Sequence, residues 1–562
     1  MSNNINEVLR FIQLENRLLN ILAVIPARGN SKEIPRKNMR LINGKPLMYY
    51  CINTAKDCKE ITDIVVTSED VEILEYAQDF NVHSLRRDEA LSGDDVPLDP
   101  VVFDAVERIE SKLNKSYDYV ITLQPTSPRL TSSSLSKAIE ALINSDCDTI
   151  ISAFNRPHLS WRTEQDSMLP NYTERLNRQE LPAHFVEAGA FVISKRECVQ
   201  KNSRIGQNVS IYELSSCEGV DINTVEEWSL CESIMKRKKI VFRTDGSRTM
   251  GMGHIYRSLT LAYALSGHEI FFICSKEFSE GVEKIKSSYF NYYVIESSSD
   301  LYGILRDLQP DILVLDILDT NKSDVKELKG YAKRLIVFED RGSGTDEADA
   351  VINALFNDKD TRPHVYTGYR YADLRDEFLL KEPKEFSNEV KNVFIMFGGS
   401  DPANFTLKVY RMICKYHKSF QGITFNIITG LAYDALSNNV VDDPEKGIFV
   451  HSDTHKVSWF MQQADVAFSS LGRGTFELAS LAVPTIAMAQ NDKEKTHSFV
   501  SLENGFVNLG DGLEATEETL YNTLRWLIDT PQVRKEMREL MLKLDIRQGV
   551  NRIKRIILDE MI

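Results

Sequence analysis

The sequence lacks any apolar run long enough to span a bilayer, and its eight cysteines include no Cys-x-x-Cys pair. The first absence argues against a transmembrane protein, and the second argues against a zinc ribbon or a disulfide framework. Excess basic charge is lacking too: the formal net charge of −15 argues against a general nucleic-acid or anionic-membrane surface. With 42% hydrophobic and 27% charged residues, the 562 residues predict a soluble, cytoplasmic protein of several domains.

Short apolar runs rich in β-branched residues alternate with helical patterns, which predicts an α/β fold with parallel sheets. The runs are 21–25, 64–67, 119–123, 149–153, 240–242, 270–273, 312–315, 335–338 and 393–397. The charged stretch 236–239 and the polar segment 381–391 interrupt this rhythm. Residues 1–20 lack the pattern of a secretory signal and predict a short helical extension. We therefore predict an extension at 1–20 and domains at 21–237, 238–385 and 386–562.

A basic loop follows the first predicted strand. Its glycine and serine allow the backbone to approach a ligand closely, as in other loops that cradle phosphate. A solvated basic turn explains this loop equally well when it is taken alone. The loop and the turn after it contain Arg28, Ser31, Lys32, Lys37 and Asn38.

Three further motifs follow in order: Lys45-Pro46-Leu47, the segment 123–129 (LQPTSPR) and the segment 178–182 (RQELP). With these motifs, residues 21–235 resemble the CMP-sialic acid synthetase family of cytidylyltransferases. The resemblance implies a Rossmann-like, GT-A-like nucleotidyltransferase domain. In that family the anomeric hydroxyl of a nonulosonic acid attacks the α-phosphate of CTP and releases pyrophosphate, with Mg²⁺ as cofactor.

The resemblance also implies roles for individual residues. Arg28 would act on CTP as a catalytic residue, with Ser31, Lys32, Lys37 and Asn38 as further contacts. Gln124 and Arg178 would face the acidic sugar, and Asp221 and Asn223 would hold Mg²⁺. Asn223 stands where the family usually has aspartate, so we predict weaker metal binding, with Asp221 as the principal ligand. Ala188 replaces a common asparagine and is expected to affect the choice of sugar. Taken alone, residues 124–128 could be an ordinary strand exit and Asp221 a helix N-cap.

The second half opens with another glycine-containing loop. The strand 240–242 leads to Gly246, Gly251 and Gly253, and His254 falls in the first turn of a predicted helix. A helix N-terminus favours the neutral form of histidine, which a general base requires near neutral pH. A histidine used only as a polar helix start explains this position as well.

Two more loops of this kind follow strands in the third predicted domain. One contains Gly399 and Ser400, and the other contains Gly472, Gly474 and Thr475. Backbone amides of the second loop could bind a diphosphate, and Glu477 could accept hydrogen bonds from ribose hydroxyls. Helix caps and packing glycines are the alternative reading. Two such loops facing the His254 loop predict a cleft between two Rossmann-like domains, the GT-B-like arrangement of two-domain glycosyltransferases.

Residues 239 to about 540 resemble the UDP-sugar hydrolases of pseudaminic acid biosynthesis. The match rests on Phe378 and on the segments 243–246 (RTDG), 251–257 (GMGHIYR), 368–371 (GYRY), 374–375 (LR) and 398–402 (GGSDP). It implies hydrolysis of a UDP-2,4-diacetamido-2,4,6-trideoxyhexose by water, without a metal. By resemblance His254 activates the water, Asp245 and Arg257 support its loop, Tyr369 lies near the sugar and Asn491 contacts the ligand.

Together the halves predict a bifunctional enzyme whose ligands are CTP, a nonulosonic acid and a UDP-sugar. A nonulosonate synthase is an expected partner, since its reaction lies between the two activities. By resemblance we also expect a homodimer formed through the N-terminal domain. Two alternatives stay open: the second half could be a glycosyltransferase with a sugar acceptor, or one half could be a degenerate nucleotide-binding module that regulates the other. Turnover by isolated halves separates these readings.

Overall fold

The computed structural model of the protein describes residues 19–560 except 30, 94, 248–250, 357–359, 431–432, 453 and 455. Most of the predicted helical extension at 1–20 therefore lies outside the described residues. The chain divides into two compact units between Lys236 and Arg237. Among the described residues, no helix is both long enough and apolar enough to cross a membrane.

The first unit contains a mixed sheet of seven strands. In spatial order the strands are Val209–Glu213, Thr149–Asn155, Phe185–Lys195, Tyr119–Leu123, Ile21–Pro26, Asp63–Ser68 and His83–Arg86. Phe185–Lys195 runs antiparallel to both of its neighbours, and the other pairs are parallel. The helices are Leu47–Asp57, Val71–Gln78, Leu98–Leu113, Ser132–Ile143 and Val225–Met235.

Ile21–Pro26 is an interior strand of this sheet and is buried along its whole length. Its two faces contribute to different apolar clusters, with Ala23 and Ile25 in one and Leu22 and Val24 in the other. A strand covered on both faces reads as a continuous apolar run. The loop that leaves this strand is therefore anchored in the interior of the sheet.

The second unit begins with a parallel sheet of seven strands. In spatial order they are Asn291–Ile295, Glu269–Ser275, Lys239–Thr244, Ile312–Asp316, Arg334–Phe338, Ala350–Asn353 and Val365–Thr367. The helices of this part are Gly253–Ala264, Ser279–Lys286, Ser298–Leu308, Lys322–Leu328 and Asp376–Leu379. The carboxyl ends of neighbouring parallel strands lie at one edge, which brings the loops after Thr244 and Asp316 together.

A second parallel sheet, of six strands, completes this unit. In spatial order they are Ile448–Ser452, Thr424–Thr429, Asn392–Met396, Val466–Ser470, Thr485–Ala489 and Phe506–Asp511. The helices that follow its strands and end the chain are Phe405–Tyr416, Val457–Gln463, Gly474–Ser480, Asp492–Lys495, Glu517–Asp529, Pro531–Leu542 and Gly549–Leu558.

The last helix, Gly549–Leu558, packs on the seven-stranded sheet of this unit although it follows the six-stranded sheet in sequence. Its Ile553 and Ile557 belong to one apolar cluster with Ile240 and Phe242. The helix thus packs away from the rest of 386–562, because apolar packing rather than sequence order decides its place. The predicted domain bounds stay predictions. The predicted α/β class is confirmed, with two parallel sheets in the second unit and a mixed sheet in the first.

Candidate functional sites

Two carboxylates lie against the basic loop of the first unit. The amide of Gly29 donates to Glu69 Oε1 at 2.8 Å. The side chain of Asp70 fills the space beside Gly29: a Cβ built on Gly29 would be 2.2 Å from Asp70 Oδ2 and 2.7 Å from Asp70 Cβ. Asp70 in turn caps the helix Val71–Gln78 by accepting from the amide of Glu72 at 2.8 Å. The loop can take this path only because residue 29 has no side chain.

This close fit gives a testable substitution. Gly29→Ala is expected to lower the free energy of unfolding by about 1–3 kcal/mol, because a methyl group forces the loop or the Asp70 cap to move. The same shift should raise KM for CTP if this loop binds the nucleotide. Urea denaturation and CTP kinetics measure the two effects. Gly93→Ala is the matched control, since its added Cβ would meet only Val96 Cγ2, at 3.5 Å. Equal values for the two variants would contradict the prediction.

Lys37 and Asn38 connect this loop to the rest of the unit. The Asn38 side chain is buried and donates to the Arg28 carbonyl at 2.8 Å. Lys37 Nζ donates to the carbonyl of Ile222 at 2.9 Å. Burial lowers the pKa of Lys37, and the nearby carboxylate of Asp221 opposes that change. The two segments proposed for CTP and for the metal, far apart in sequence, are thus joined in the structure.

Asp221 has one oxygen in use and one without a partner. Its Oδ2 accepts from Asn223 Nδ2 at 2.7 Å, whereas its Oδ1 is buried and has no hydrogen-bond partner among the described residues. Gly189, at φ +66°, leaves room beside it, since a Cβ there would lie 2.9 Å from Asp221 Oδ2. A buried carboxylate oxygen without a donor fits a cation, so these residues suit the expected divalent metal. Asn223 instead uses its amide to donate to Asp221.

The other predicted contacts of this unit are spread around the loop. Gln124 follows the strand Tyr119–Leu123, and its backbone N–H donates to the carbonyl of Ala190 at 3.1 Å. Ser31 is half-buried and Lys32 is exposed. Arg178 is exposed in the turn Arg178–Glu180, and no hydrogen bond between described residues joins it to the loop. No group of three or more His, Cys, Asp or Glu side chains in the described part of the chain is arranged to hold a metal.

In the second unit, His254 contacts a carboxylate on the neighbouring strand. His254 lies at the second residue of the helix Gly253–Ala264, and its Nδ1 is 2.7 Å from Asp316 Oδ1. Asp316 ends the strand Ile312–Asp316, which is fully buried. Arg257 Nη2, which can only donate, also lies 3.1 Å from Nδ1. We assign the Nδ1 proton to the contact with the carboxylate, and this tautomer leaves the lone pair of Nε2 available as a base. The side chain of His254 is 15% exposed, which leaves the ring accessible.

Asp316 also anchors Arg257 and Ser258. Arg257 Nε donates to Asp316 Oδ2 at 2.8 Å, its Nη2 donates to Oδ1, and Ser258 Oγ donates to Oδ2 at 3.0 Å. Burial would raise the pKa of Asp316, but the charge and hydrogen bonds of Arg257, with the hydrogen bond of His254, hold the pKa below its usual range. Asp316 is therefore an anion at neutral pH.

Glu339 adds a second carboxylate beside Arg257. It is buried, its Oε1 lies 3.5 Å from Arg257 Nη1, and its Oε2 has no partner among the described residues. Its φ of +49° is uncommon for a residue other than glycine, and such strain is frequent at functional sites. Asp316 was missed, although an aspartate at the carboxyl end of a central parallel strand was a usable signal.

Asp245 contacts residues other than His254. Its Oδ1 accepts from the amide of Ser275 at 2.8 Å, and its Oδ2 pairs with Arg243 Nη2 at 2.7 Å. These contacts link the end of the strand Lys239–Thr244 to the next strand. Asp245 therefore supports the loop, and the carboxylate that touches His254 is Asp316.

The glycine loop of the six-stranded sheet turns tightly into a short helix. Thr475 Oγ1 donates to the carbonyl of Gly472 at 2.7 Å, and Gly474 begins the helix Gly474–Ser480. Glu477 Oε1 accepts from Arg375 Nε at 3.0 Å and from its Nη2 at 2.9 Å. These two contacts from one guanidinium orient the carboxylate and occupy one of its two oxygens. The sequence could not show that Arg375, far away in the chain, holds Glu477.

The remaining predicted residues differ in their exposure and in their contacts. Gly399 is exposed and Ser400 half-buried after the strand Asn392–Met396. Asn491 caps the helix Asp492–Lys495 by accepting from the amide of Glu494 at 2.9 Å. Tyr369 is half-buried, with its ring centroid 5.9 Å from that of Phe499. Asn491 thus has a structural contact that accounts for its position, and its role toward a ligand stays a prediction.

Removing Asp316 should destabilise the second unit. Asp316→Ala leaves the buried guanidinium of Arg257 without its main partner, so we expect the free energy of unfolding to fall by about 3–5 kcal/mol. The folded-state pKa of Asp316 is lowered, so its stabilisation is present above the unfolded pKa of about 4 and is lost as the pH falls through the folded value. Urea denaturation at pH 7 measures the loss. Asp346→Ala, which breaks a half-exposed pair with Arg362, should cost at most about 1 kcal/mol. Equal losses for both would contradict the prediction.

Comparison with known proteins assigns the first unit to a class. Residues 22–202 match the family model described as Cytidylyltransferase. The chain is also 29% identical over 223 residues to the pseudaminic acid cytidylyltransferase of Campylobacter jejuni, which is 38% of this chain and 96% of that protein.

A longer similarity extends into the second unit. A Helicobacter pylori protein is 25% identical over 510 residues, which cover 86% of this chain and 90% of that protein. Its name is "Pseudaminic acid cytidylyltransferase and UDP-2,4-diacetamido-2,4,6-trideoxy-beta-L-altropyranose hydrolase". An uncharacterized protein of Methanocaldococcus jannaschii is 29% identical over 279 residues, and this chain spans 57% of its length.

Proposed function

We propose that the chain is a bifunctional enzyme of nonulosonic acid biosynthesis, with pseudaminic-type substrates. Its first unit would transfer CMP from CTP to a nonulosonic acid. Its second unit, with a GT-B-like arrangement of two sheets, would hydrolyse a UDP-2,4-diacetamido-2,4,6-trideoxyhexose. The observation that carries the hydrolase half is the contact of His254 with buried Asp316 at 2.7 Å, because it leaves Nε2 free as a base. The similarity to a fusion protein over 86% of the chain supports both halves together.

In the first unit, basic side chains would bind the triphosphate. Arg28 and Lys32 are exposed in the basic loop. Lys37 connects this loop to the segment that contains Asp221, through its hydrogen bond to the carbonyl of Ile222. They would offset the phosphate charge and align the α-phosphate with the attacking anomeric hydroxyl. The new bond joins that oxygen to phosphorus while the bond to pyrophosphate breaks, pyrophosphate leaves with the electron pair, and the proton of the hydroxyl is released to solvent. Asp221 would hold Mg²⁺, which supplies charge neutralisation on the phosphates.

In the second unit, His254 would remove a proton from water. The water oxygen attacks the anomeric carbon, the bond from that carbon to the β-phosphate oxygen breaks, and UDP leaves with the electron pair. The proton passes to His254 Nε2, and Asp316 stabilises the imidazolium that forms. Glu477, oriented by Arg375, would bind ribose, and amides of residues 472–475 would bind phosphate. Asp245 and Arg257 would keep the His254 loop in place.

The proposed assembly involves the first unit. The hairpin of Trp161–Glu164 and Ser167–Pro170 is exposed along both strands, and Trp161 and Met168 are 51% and 61% exposed. An apolar surface of this kind is typical of an interface. We propose a homodimer through this unit, which light scattering of the purified chain checks. A nonulosonate synthase stays a proposed further partner.

Product analysis of the purified chain tests the proposed activities. One reaction contains UDP-2,4-diacetamido-2,4,6-trideoxy-L-altrose, and the other contains CTP, Mg²⁺ and pseudaminic acid. We expect free UDP and sugar from the first, and CMP-sugar and pyrophosphate from the second. UDP release that requires an added sugar acceptor would favour a glycosyltransferase. Binding of a nucleotide without turnover in one half would favour a regulatory module.

A further inference from the structure

Arg473 belongs to the glycine loop of the six-stranded sheet, but its side chain reaches the His254 helix. It lies between the strand Val466–Ser470 and the helix Gly474–Ser480. A Cβ built on Gly253, the first residue of the His254 helix, would be 3.7 Å from Arg473 Cδ. The side chain therefore lies where the proposed phosphate loop and the proposed catalytic histidine come together.

Only part of the Arg473 guanidinium is satisfied. Its Nη2 pairs with Asp373 Oδ2, whereas its Nη1 is buried and has no hydrogen-bond partner among the described residues. A buried donor of a charged group without an acceptor is costly, so such atoms are usually matched by a ligand or by water. The side chain as a whole is still 24% exposed, which leaves a route for a ligand to approach.

Arginines and carboxylates both surround Arg473. Burial lowers the pKa of Arg473 to about 10, and the positive charge of Arg257 acts in the same direction. Glu339, Asp316 and Glu477 oppose this change, but Asp316 is already bonded to Arg257, His254 and Ser258, and Glu477 is bonded to Arg375. Arg473 thus keeps a spare donor beside two carboxylates that are already paired.

We propose that Arg473 binds the diphosphate of the nucleotide on the side that faces His254. This inference rests on the proposed hydrolase function and adds a side-chain contact to a loop expected to bind phosphate through its backbone. A guanidinium presents several N–H donors in a plane that matches phosphate oxygens. Because negative charge grows on the β-phosphate as the bond to the anomeric carbon breaks, the same contact stabilises the departing UDP.

A rival role for Arg473 is purely structural. In that role, the pair of Arg473 with Asp373 only holds the glycine loop in place. Its unpaired Nη1 then has no ligand, as is the case for Glu339 Oε2, which also lacks a partner among the described residues. The two roles differ in what they do to ligands: a diphosphate contact distinguishes UDP from uridine, whereas a structural contact affects both ligands alike or neither.

Titration calorimetry with uridine and UDP tests the proposal. For Arg473→Gln we expect the Kd of UDP to rise about 10-fold or more, with the Kd of uridine unchanged, and kcat for UDP-sugar hydrolysis to fall as well. Arg411→Gln, an exposed arginine on the helix Phe405–Tyr416, is the matched control and should behave like the unsubstituted chain. If the glutamine variant does not fold, Arg473→Lys keeps a charge opposite Asp373 and should weaken UDP binding several-fold while sparing uridine.

The outcomes separate this inference from the proposed function. Unchanged UDP affinity in folded Arg473→Gln, beside an active unsubstituted chain, would overturn the role of Arg473 and leave the hydrolase assignment standing. Equal losses of uridine and UDP affinity would do the same, in favour of the structural role. An unsubstituted chain that binds neither UDP nor the UDP-sugar would overturn both.

Discussion

Replacing His254 by alanine is expected to lower kcat for UDP release about 100- to 10,000-fold, the usual contribution of a general base. The reason is the geometry at Nδ1: with that nitrogen held 2.7 Å from Asp316 Oδ1, only Nε2 can accept the proton of the attacking water. Alanine removes the base but leaves Asp316 paired with Arg257, so the fold should persist. Quantifying UDP from UDP-2,4-diacetamido-2,4,6-trideoxy-L-altrose measures the effect.

The same variant should consume CTP at the unsubstituted rate, because His254 belongs to the second compact unit and the proposed CTP loop belongs to the first. His364→Ala is a suitable control, since the ring of this histidine of the second unit lies 3.1 Å from a backbone carbonyl, that of Thr345. Retention of at least half of the UDP release in His254→Ala would refute the assignment of the base.

Replacing Asp221 by alanine is expected to lower kcat/KM for CMP transfer about 100-fold or more. The buried oxygen Oδ1 has no donor among the described residues, so a divalent cation is the partner that fits it. A metal on the phosphates contributes several kcal/mol to the transition state, and about 1.4 kcal/mol corresponds to a factor of ten. The dependence of CTP consumption on Mg²⁺ concentration measures the effect.

Two companion variants make this test specific. Asn223→Asp restores a second acid and should lower the Mg²⁺ concentration needed for half-maximal rate, because a carboxylate adds charge where the amide supplies none. Asp57→Ala removes an exposed aspartate at the end of the helix Leu47–Asp57 and should change neither value. Undiminished metal affinity in Asp221→Ala would refute the proposed ligand.

The strands that could be predicted are short apolar runs inside their sheets, whereas Phe185–Lys195, which runs antiparallel to its neighbours, was not predicted. The run at 21–25 is the strand Ile21–Pro26, and the run at 312–315 is the strand Ile312–Asp316. A strand buried on both faces must be apolar throughout, so local sequence is enough to find it. Spatial order is different: nothing local reveals that Ile312–Asp316 lies beside Lys239–Thr244.

That limit explains which site residues were found and which were missed. His254 and Glu477 stand in glycine-rich motifs, whose spacing is visible in the sequence. Asp316, Arg375 and the unpaired nitrogen of Arg473 have meaning only through partners far along the chain, such as the 102 residues between Arg375 and Glu477. Long-range pairing is set by strand order and helix packing, which a single sequence does not encode in any local pattern.

The last helix has a consequence for how the chain is made. Gly549–Leu558 covers the apolar cluster that contains Ile240 and Phe242, yet the ribosome synthesises it only after all strands of the six-stranded sheet. During synthesis, domains generally fold in order from the N-terminus. The part of this cluster that Ile553 and Ile557 cover therefore stays exposed until the last helix emerges. The sheet next to His254 completes its packing after the first compact unit can already have folded.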